Sequence, residues 1–133
     1  MRKRCTLLFC LGWMTASASY AKTVIYTDSQ HVPVNLSPDT QIVWLDAAEQ
    51  HQRQIFAQLS ADPQQAAIQA QAMLQSSQWH EQEQHLLQAY RAIVEAWQLG
   101  VRKYPAVVFD DRDIVYGTAD GAKASALREL RQP

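Results

Sequence analysis

A proline placed directly before an apolar run, with an acidic turn after it, constrains this chain more than any other feature. The stretch reads LGVRKYPAVVFDDRDIVYG and covers Leu99–Gly117. Ala106–Phe109 and Ile114–Tyr116 are rich in β-branched and aromatic residues, which is typical of strands. Asp110–Asp113 between them supplies residues that turns favour. The stretch therefore predicts a β-hairpin that the rest of the fold must cover.

The N-terminus has the three parts of an export signal. Met1–Arg4 is basic, Cys5–Met14 is apolar but too short to cross a bilayer, and Ser19–Ala21 has small residues where signal peptidase reads. We predict a signal peptide over residues 1–21, a periplasmic location and a single domain over residues 22–133. An uncleaved anchor or a buried core helix is the alternative.

Both cysteines of the chain, Cys5 and Cys10, fall inside that signal. The predicted mature chain therefore has no disulfide and no thiol chemistry. The formal charge of the whole chain is −1, and there is no basic stripe, which disfavours binding to nucleic acid through its phosphates. No second apolar run is long enough to cross a membrane.

Two strands and a loop are predicted ahead of the helices. Thr23–Thr27 is a β-branched and aromatic run and reads as the first strand. Gln41–Leu45 reads as a second strand that is apolar on both faces, and we expect both faces to be covered. The residues between them include Pro33 and Pro38 and have no helical periodicity, so we predict a loop.

Two helix starts follow the second strand. Asp46–Glu49 has the form of a capping box, and Asp62–Pro63 supplies an N-cap residue with proline at the first helical position. From there to Leu99 no proline or glycine intervenes, and the helix is either continuous or broken near Ser76. Gly100 is a typical helix stop.

The element order predicts an α/β fold, in which helices pack against one four-stranded mixed sheet. The helical segment between the second and third strands, about residues 47–99, is enlarged, and Thr118 or Asp120 caps a last helix. The predicted core consists of the apolar residues at periodic positions: Val24, Ile25, Ile42, Trp44, Ile55, Phe56, Leu86, Tyr90, Ile93, Val94, Val107, Phe109, Val115 and Leu127.

The sequence contains no persuasive metal or cofactor motif. His80 and His85 are five residues apart, which places their rings roughly 140° apart around a helix. A solvated helix face with a Glu81–His85 pair is the simpler interpretation. The acidic turn of the hairpin lacks the spacing of a calcium loop, and Arg102 and Lys103 read as a surface pair. We therefore predict no metal and no cofactor.

The run Gly100–Phe109, followed by Val115–Gly117, resembles the cis-proline hairpin of the thioredoxin-like superfamily, and in particular its periplasmic disulfide-isomerase branch. The resemblance implies a cis Tyr104–Pro105 bond and a sheet in the order second, first, third, fourth strand, with the third strand antiparallel to the first. Those enzymes carry C-x-x-C after the first strand, where this chain reads His31-Val-Pro-Val34. The family's active site cannot be carried over, because no thiolate is present.

Four dispersed segments resemble a narrower group, the small exported proteins encoded on bacterial integrative and conjugative elements. The segments are Tyr26–Asp28, Trp44–Ala47, Ala96–Val101 and Pro105–Thr118. The resemblance implies an association with conjugative transfer, and it implies no biochemical activity.

Together these features predict a non-catalytic accessory or scaffold protein of a conjugative, type IV secretion-like apparatus, with a protein partner. The expected contact surface comprises Tyr26, Asp28, His31, Tyr104 and Pro105, because thioredoxin-like grooves bind extended peptides beside the cis-proline. Two alternatives stay open. One is a periplasmic enzyme of unknown class that uses His31, and the other is a chaperone-like partner of one element protein.

Overall fold

The structure, a computed structural model, describes residues 21–133. The predicted signal peptide, with Cys5 and Cys10, lies outside the described residues except for its last residue. The elements in chain order are β1 Thr23–Thr27, β2 Thr40–Trp44, α1 Ala47–Phe56, α2 Pro63–Leu74, α3 Ser77–Gln98, β3 Ala106–Phe109, β4 Asp113–Tyr116 and α4 Gly121–Glu129.

The four strands form one mixed sheet in the order β2-β1-β3-β4. β1 runs parallel to β2, with Ile25 opposite Ile42, and antiparallel to β3, with Ile25 opposite Val107. β3 and β4 form the predicted hairpin, and its turn contains Asp110 and Asp111, which both have a φ of 54°. The predicted strand order and strand directions are confirmed.

The sheet is covered by a different helix on each face. Val24 and Tyr26 pack on one face with Ala96 of α3. Val107 packs on the other face with Ala124 of α4. Because successive side chains of a strand point to opposite faces, the same short strands supply both clusters.

The prediction that β2 is covered on both faces is wrong. Ile42 and Trp44 are 37% and 38% exposed, although they share a face with the fully buried Ile25. α4 lies on that face but packs on the strands at the opposite edge of the sheet. The segment between β1 and β2 is a loop, and within residues 21–133 no helix lies over the outer half of this face.

The long helical region is broken at Ser76, whose hydroxyl caps α3 by accepting from the N–H of Trp79 at 3.2 Å. Asp62 caps α2 as predicted, accepting from the N–H of Gln64 at 2.8 Å. Gly100 follows the end of α3 with a φ of +84°, a conformation that glycine adopts without strain. These local signals are confirmed.

The predicted capping box at the start of α1 is wrong. Asp46 makes no capping hydrogen bond, because its φ of −93° and ψ of 1° are not the extended conformation of an N-cap residue. Its Oδ2 instead accepts from the hydroxyl of Ser29 at 2.6 Å, the N–H of Ser29 at 3.0 Å and the side-chain amide of Gln50 at 2.8 Å. These bonds, led by the Ser29 hydroxyl, hold the pKa of Asp46 below its ordinary value.

Several apolar residues of the predicted core are exposed. Phe56, Tyr90 and Val94 on the helices are exposed by 65%, 43% and 54%. Tyr90 and Val94 lie within two residues of Ala89 and Ala96, which are buried, so their exposure follows from the side of the helix on which they lie. The predicted core residues confirmed as buried are Val24, Ile25, Val107, Phe109 and Val115. Those that are half-buried are Ile55, Leu86, Ile93 and Leu127.

One arginine ties the hairpin turn to α4. Arg128 donates from Nε to Asp113 at 3.0 Å and from Nη2 to Asp110 at 2.9 Å. Its guanidinium carbon also lies 4.8 Å from the centre of the Phe109 ring. The carboxylates of the turn are therefore engaged by a cation of the chain itself.

Acid is expected to weaken this tie. The hydrogen bond from Arg128 is the main reason that the pKa of Asp110 lies below its ordinary value, so the folded protein binds fewer protons there than the unfolded chain. The resulting stabilisation is present above the ordinary carboxyl pKa and is lost as the pH falls through the lowered one. We expect the thermal midpoint to fall between about pH 5 and pH 2, and to fall less steeply in Arg128→Gln.

The measurement is thermal unfolding at a series of pH values, followed by circular dichroism. Arg131→Gln is the matched control, because Arg131 donates to the carbonyl of Ile114 at 3.3 Å rather than to a carboxylate. The pKa values of Asp46 and Asp120 are lowered as well, so some acid dependence persists in every variant. Equal pH slopes for Arg128→Gln and the control would contradict the assignment.

Candidate functional site

Most of the predicted contact residues converge at one end of the sheet. Tyr26 lies opposite Ala106, which places the end of β1 beside Pro105 at the start of β3. The N–H of Leu45 donates to the carbonyl of Thr27 at 2.8 Å, so the end of β2 reaches the same place. The segments leaving this end carry four of the predicted contact residues: Asp28, His31, Tyr104 and Pro105.

Tyr26 does not present its side chain at this surface. It is 4% exposed and packs between the sheet and α3. Burial is the largest cause of the raised pKa of its phenol. The side chain of Tyr26 is therefore not accessible for the expected contact, because the alternation of the strand turns this residue into the core.

Asp28 and His31 form a tightly bonded pair at the start of the loop. Asp28 is 9% exposed, and its Oδ1 accepts from the N–H of His31 at 3.0 Å and lies 2.5 Å from Nδ1 of the His31 ring. The hydroxyl of the buried Thr27 donates to the carbonyl of His31 at 2.6 Å. These contacts therefore fix both the backbone and the ring of His31, while about half of its side chain stays exposed.

This pair orients the His31 imidazole, and within residues 21–133 no hydroxyl or thiol is hydrogen-bonded to that ring. Nucleophilic catalysis needs a hydroxyl or thiol within hydrogen-bond reach of the base. In the described chain the hydrogen bonds of His31 go to Asp28 and Thr27, and the hydroxyl of the neighbouring Ser29 donates to Asp46. The hydrogen bonds of His31 therefore fix the conformation of the loop that follows β1.

Tyr104 and Pro105 form the other side of this end of the sheet. The peptide bond between them is cis, the isomer that the resemblance implies. The Tyr104 side chain is 54% exposed, and Pro105 is half-buried. The carbonyl of Pro105 accepts from the N–H of Gly117 at 2.9 Å, which fastens the start of β3 to the end of β4.

An open groove of about 230 Å³ runs from Tyr104 towards the C-terminal end of α3. Its lining is apolar and aromatic, with two cationic side chains among the eight: Leu45, Ile93, Ala96, Trp97, Val101, Arg102, Lys103 and Tyr104. Trp97 is 80% exposed and was not among the residues expected at the site. In the sequence, Trp97 is marked only by its place in the apolar periodicity of α3. That periodicity does not distinguish an exposed position from a buried one.

A model of one protein family, described as "Protein of unknown function (DUF1525)", matches residues 20–132. The chain belongs to the DUF1525 family. The match includes all eight elements, so the loop after β1 and the helices α1–α3 are both within it. No curated protein and no solved structure matches the DUF1525 chain.

The histidines of α3 in this DUF1525 protein have separate neighbours. Nδ1 of His80 lies 3.9 Å from a carboxylate oxygen of Glu83. His85 stacks on His51 of α1, with 6.1 Å between the ring centres, rather than pairing with Glu81. Over residues 21–133, no group of three or more His, Cys, Asp or Glu side chains is arranged to hold a metal ion. Nor does this part of the chain contain a helix long and apolar enough to cross a membrane.

Proposed function

We propose that this DUF1525 protein has a thioredoxin-like fold without a thiol active site, and that it binds an extended segment of a protein partner at the Tyr104–Pro105 end of the sheet. The proposal of a thioredoxin-like fold is supported by the strand order β2-β1-β3-β4, by the parallel pairing of β1 with β2, and by the covering of the two faces by α3 and α4.

The observation that carries the binding proposal is the unpaired main chain of Tyr104. Pro105 has no N–H, and its carbonyl is taken by Gly117. Within residues 21–133 neither the N–H nor the carbonyl of Tyr104 forms a hydrogen bond. An extended peptide can pair with these groups by strand addition, while its side chains contact the Tyr104 ring and the adjacent groove.

We propose that the protein is not catalytic because of the residues that follow β1. The thioredoxin-like enzymes that this chain resembles carry two cysteines there, whereas this chain has His31-Val-Pro-Val34 and no cysteine after Cys10. His31 is held by Asp28 and by the hydroxyl of Thr27. These contacts support a structural role for His31 in shaping the loop beside the peptide site.

The cellular role that we propose is that of a periplasmic accessory protein in conjugative transfer. It rests on the export-signal pattern of the N-terminus and on the resemblance to exported proteins of integrative and conjugative elements. The partner is expected to be another component of the transfer apparatus, and the sheet-end surface is where it would bind.

Transfer frequency from a donor strain lacking the gene tests this function. Restoring the wild-type gene or a His31→Asn variant is expected to restore transfer, because His31 performs no chemistry in this proposal and the asparagine amide can still donate to Asp28. Tyr104→Ala is expected to leave transfer about tenfold lower, since losing one aromatic anchor at a binding site has an effect of that order.

The matched control is Phe56→Ala, which removes an aromatic side chain of similar exposure on α1, away from the sheet end. Circular dichroism of the purified variants establishes that each is folded. Unchanged transfer after deletion of the gene would overturn the role in conjugation. Loss of transfer in His31→Asn, with a folded protein, would favour the enzyme alternative.

A further inference from the structure

One side of α3 carries a long apolar stripe that stays largely exposed, and α1 borders it at Tyr90, whose hydroxyl accepts from the side-chain amide of Gln52 at 2.6 Å. Leu87, Tyr90, Val94 and Trp97 are exposed by 43%, 43%, 54% and 80%. Their spacing of three, four and three residues places them along one side of the helix, whereas Ala96 faces the sheet and is buried. A contiguous apolar surface of this kind commonly marks an interaction site.

The two ends of this stripe carry opposite charges. Glu83 lies one turn before Leu87 on the same side of the helix, and its side chain is 46% exposed. Beyond the other end of the helix, Arg102 and Lys103 are exposed, and Arg102 lines a cavity of about 260 Å³ together with Trp97. The stripe is therefore acidic at its start and basic at its end.

We propose that this stripe is the interface of a homodimer, in which α3 packs antiparallel against α3 of a second copy. A twofold axis between Tyr90 and Val94 sets these two residues against each other across the interface. The same register sets Leu87 against Trp97. Such an interface is isologous, so each apolar contact occurs twice.

The charges favour a second copy in this orientation. In the antiparallel register Glu83 of one copy lies beyond Leu87, at the end of the interface where Trp97 of the other copy lies. Arg102 shares a cavity with Trp97, so the opposite charges come to the same end of the interface. A parallel pair would instead bring like charges together. Arg91 lies on the solvent side of the stripe near the twofold axis, where its long side chain can extend into water.

The proposed interface is small. From Leu87 to Trp97 the stripe is about 15 Å long, which predicts an association at the weak end of specific dimers. The dimer does not rest on the proposed function, because the Tyr104 main chain is not part of the stripe. Dimer formation would cover one end of the groove beside Tyr104, since Trp97 belongs both to the stripe and to the lining of that groove.

Sedimentation velocity of the protein purified after expression of the full chain tests the proposal, over concentrations up to about 1 mM to detect weak association. We expect the wild type to pass from monomer to dimer with rising concentration. Val94→Glu is expected to weaken association by about tenfold or more, because it buries a charge in the interface. Ile68→Glu is the matched control, since Ile68 is a 69%-exposed residue of α2 outside the stripe.

A charge exchange tests the register. Glu83→Arg and Arg102→Glu should each weaken self-association, because each places like charges opposite each other. The mixture of the two variants should form a heterodimer, and the double variant should dimerise like the wild type. A monomeric wild type at the highest concentration, an unaffected Val94→Glu variant, or a mixture that does not associate would each overturn the proposal.

Discussion

Replacing Ile25 by alanine is expected to cost about 3 kcal/mol of unfolding free energy, whereas the same change at Ile42 is expected to cost about 1 kcal/mol or less. The two residues are paired in register on neighbouring strands and lie on the same face of the sheet. Ile25 is fully buried, so truncation leaves a cavity, while Ile42 is 37% exposed and loses much less contact.

Urea denaturation of the two variants measures the difference directly. A loss of about 3 kcal/mol is a large part of the stability of a small domain, which is of order 5–15 kcal/mol. The two variants carry the same substitution at residues that are paired on neighbouring strands and lie on the same face, so they differ mainly in burial. If Ile25→Ala and Ile42→Ala lost equal unfolding free energy, the conclusion that Ile42 is uncovered would be contradicted. Another part of the chain or a second molecule would then cover Ile42.

Gly121→Ala is expected to destabilise the protein by about 2 kcal/mol, although alanine is normally the better helix residue. A Cβ atom on Gly121 would lie 2.7 Å from the carbonyl oxygen of Asn35, which is closer than such atoms approach. The loop cannot retreat freely, because the N–H of Val34 donates to Ala119 at 3.1 Å and the N–H of Gly121 donates to Val34 at 3.0 Å.

The matched control for Gly121→Ala is Ser125→Ala, at an exposed position of the same helix. That change is expected to be neutral or slightly stabilising, since alanine has the higher helix propensity. Thermal unfolding of both variants is the measurement. A stabilised Gly121→Ala protein would mean that the loop around Asn35 is free to move away from α4, and hence that α4 does not fix its position.

Much of the fold was predictable because its signals are local. Residues 23–27 have strand composition, Asp62 precedes a proline at a helix start, and the acidic turn separates two short apolar runs. Each of these patterns determines the conformation of its own few residues. The strand order was expected from the resemblance of the hairpin to a known fold, and not from local pattern.

The errors in the predicted core share one physical cause, which is that periodicity tells which residues share a face but not what covers that face. Val94 and Trp97 continue the apolar periodicity of α3 beside the buried Ala96, yet they lie on a side of the helix that does not face the sheet. Asp46 has the residue type of an N-cap, but the Ser29 side chain, 17 residues away, binds its carboxylate instead. Such a contact depends on the tertiary fold.

The site was partly predictable for the same reason. Pro105 and Tyr104 were identifiable from the hairpin motif, and Asp28 from its place at the end of a strand. The bond between Asp28 and His31 was not, because it depends on the turn that the Thr27 hydroxyl stabilises by binding the carbonyl of His31. The direction of the Tyr26 side chain follows from strand alternation once the pairing register is known.

The uncovered outer strand also has a consequence for solubility. β2 is an edge strand with apolar side chains in contact with water, the kind of segment that can pair with another edge and start aggregation. It is only five residues long, and Pro38 and Asp39 precede it while the anionic Asp46 follows it. A proline and like charges at both ends oppose the stacking of identical strands. We expect these flanking residues to act as gatekeepers, which oppose aggregation through the edge strand.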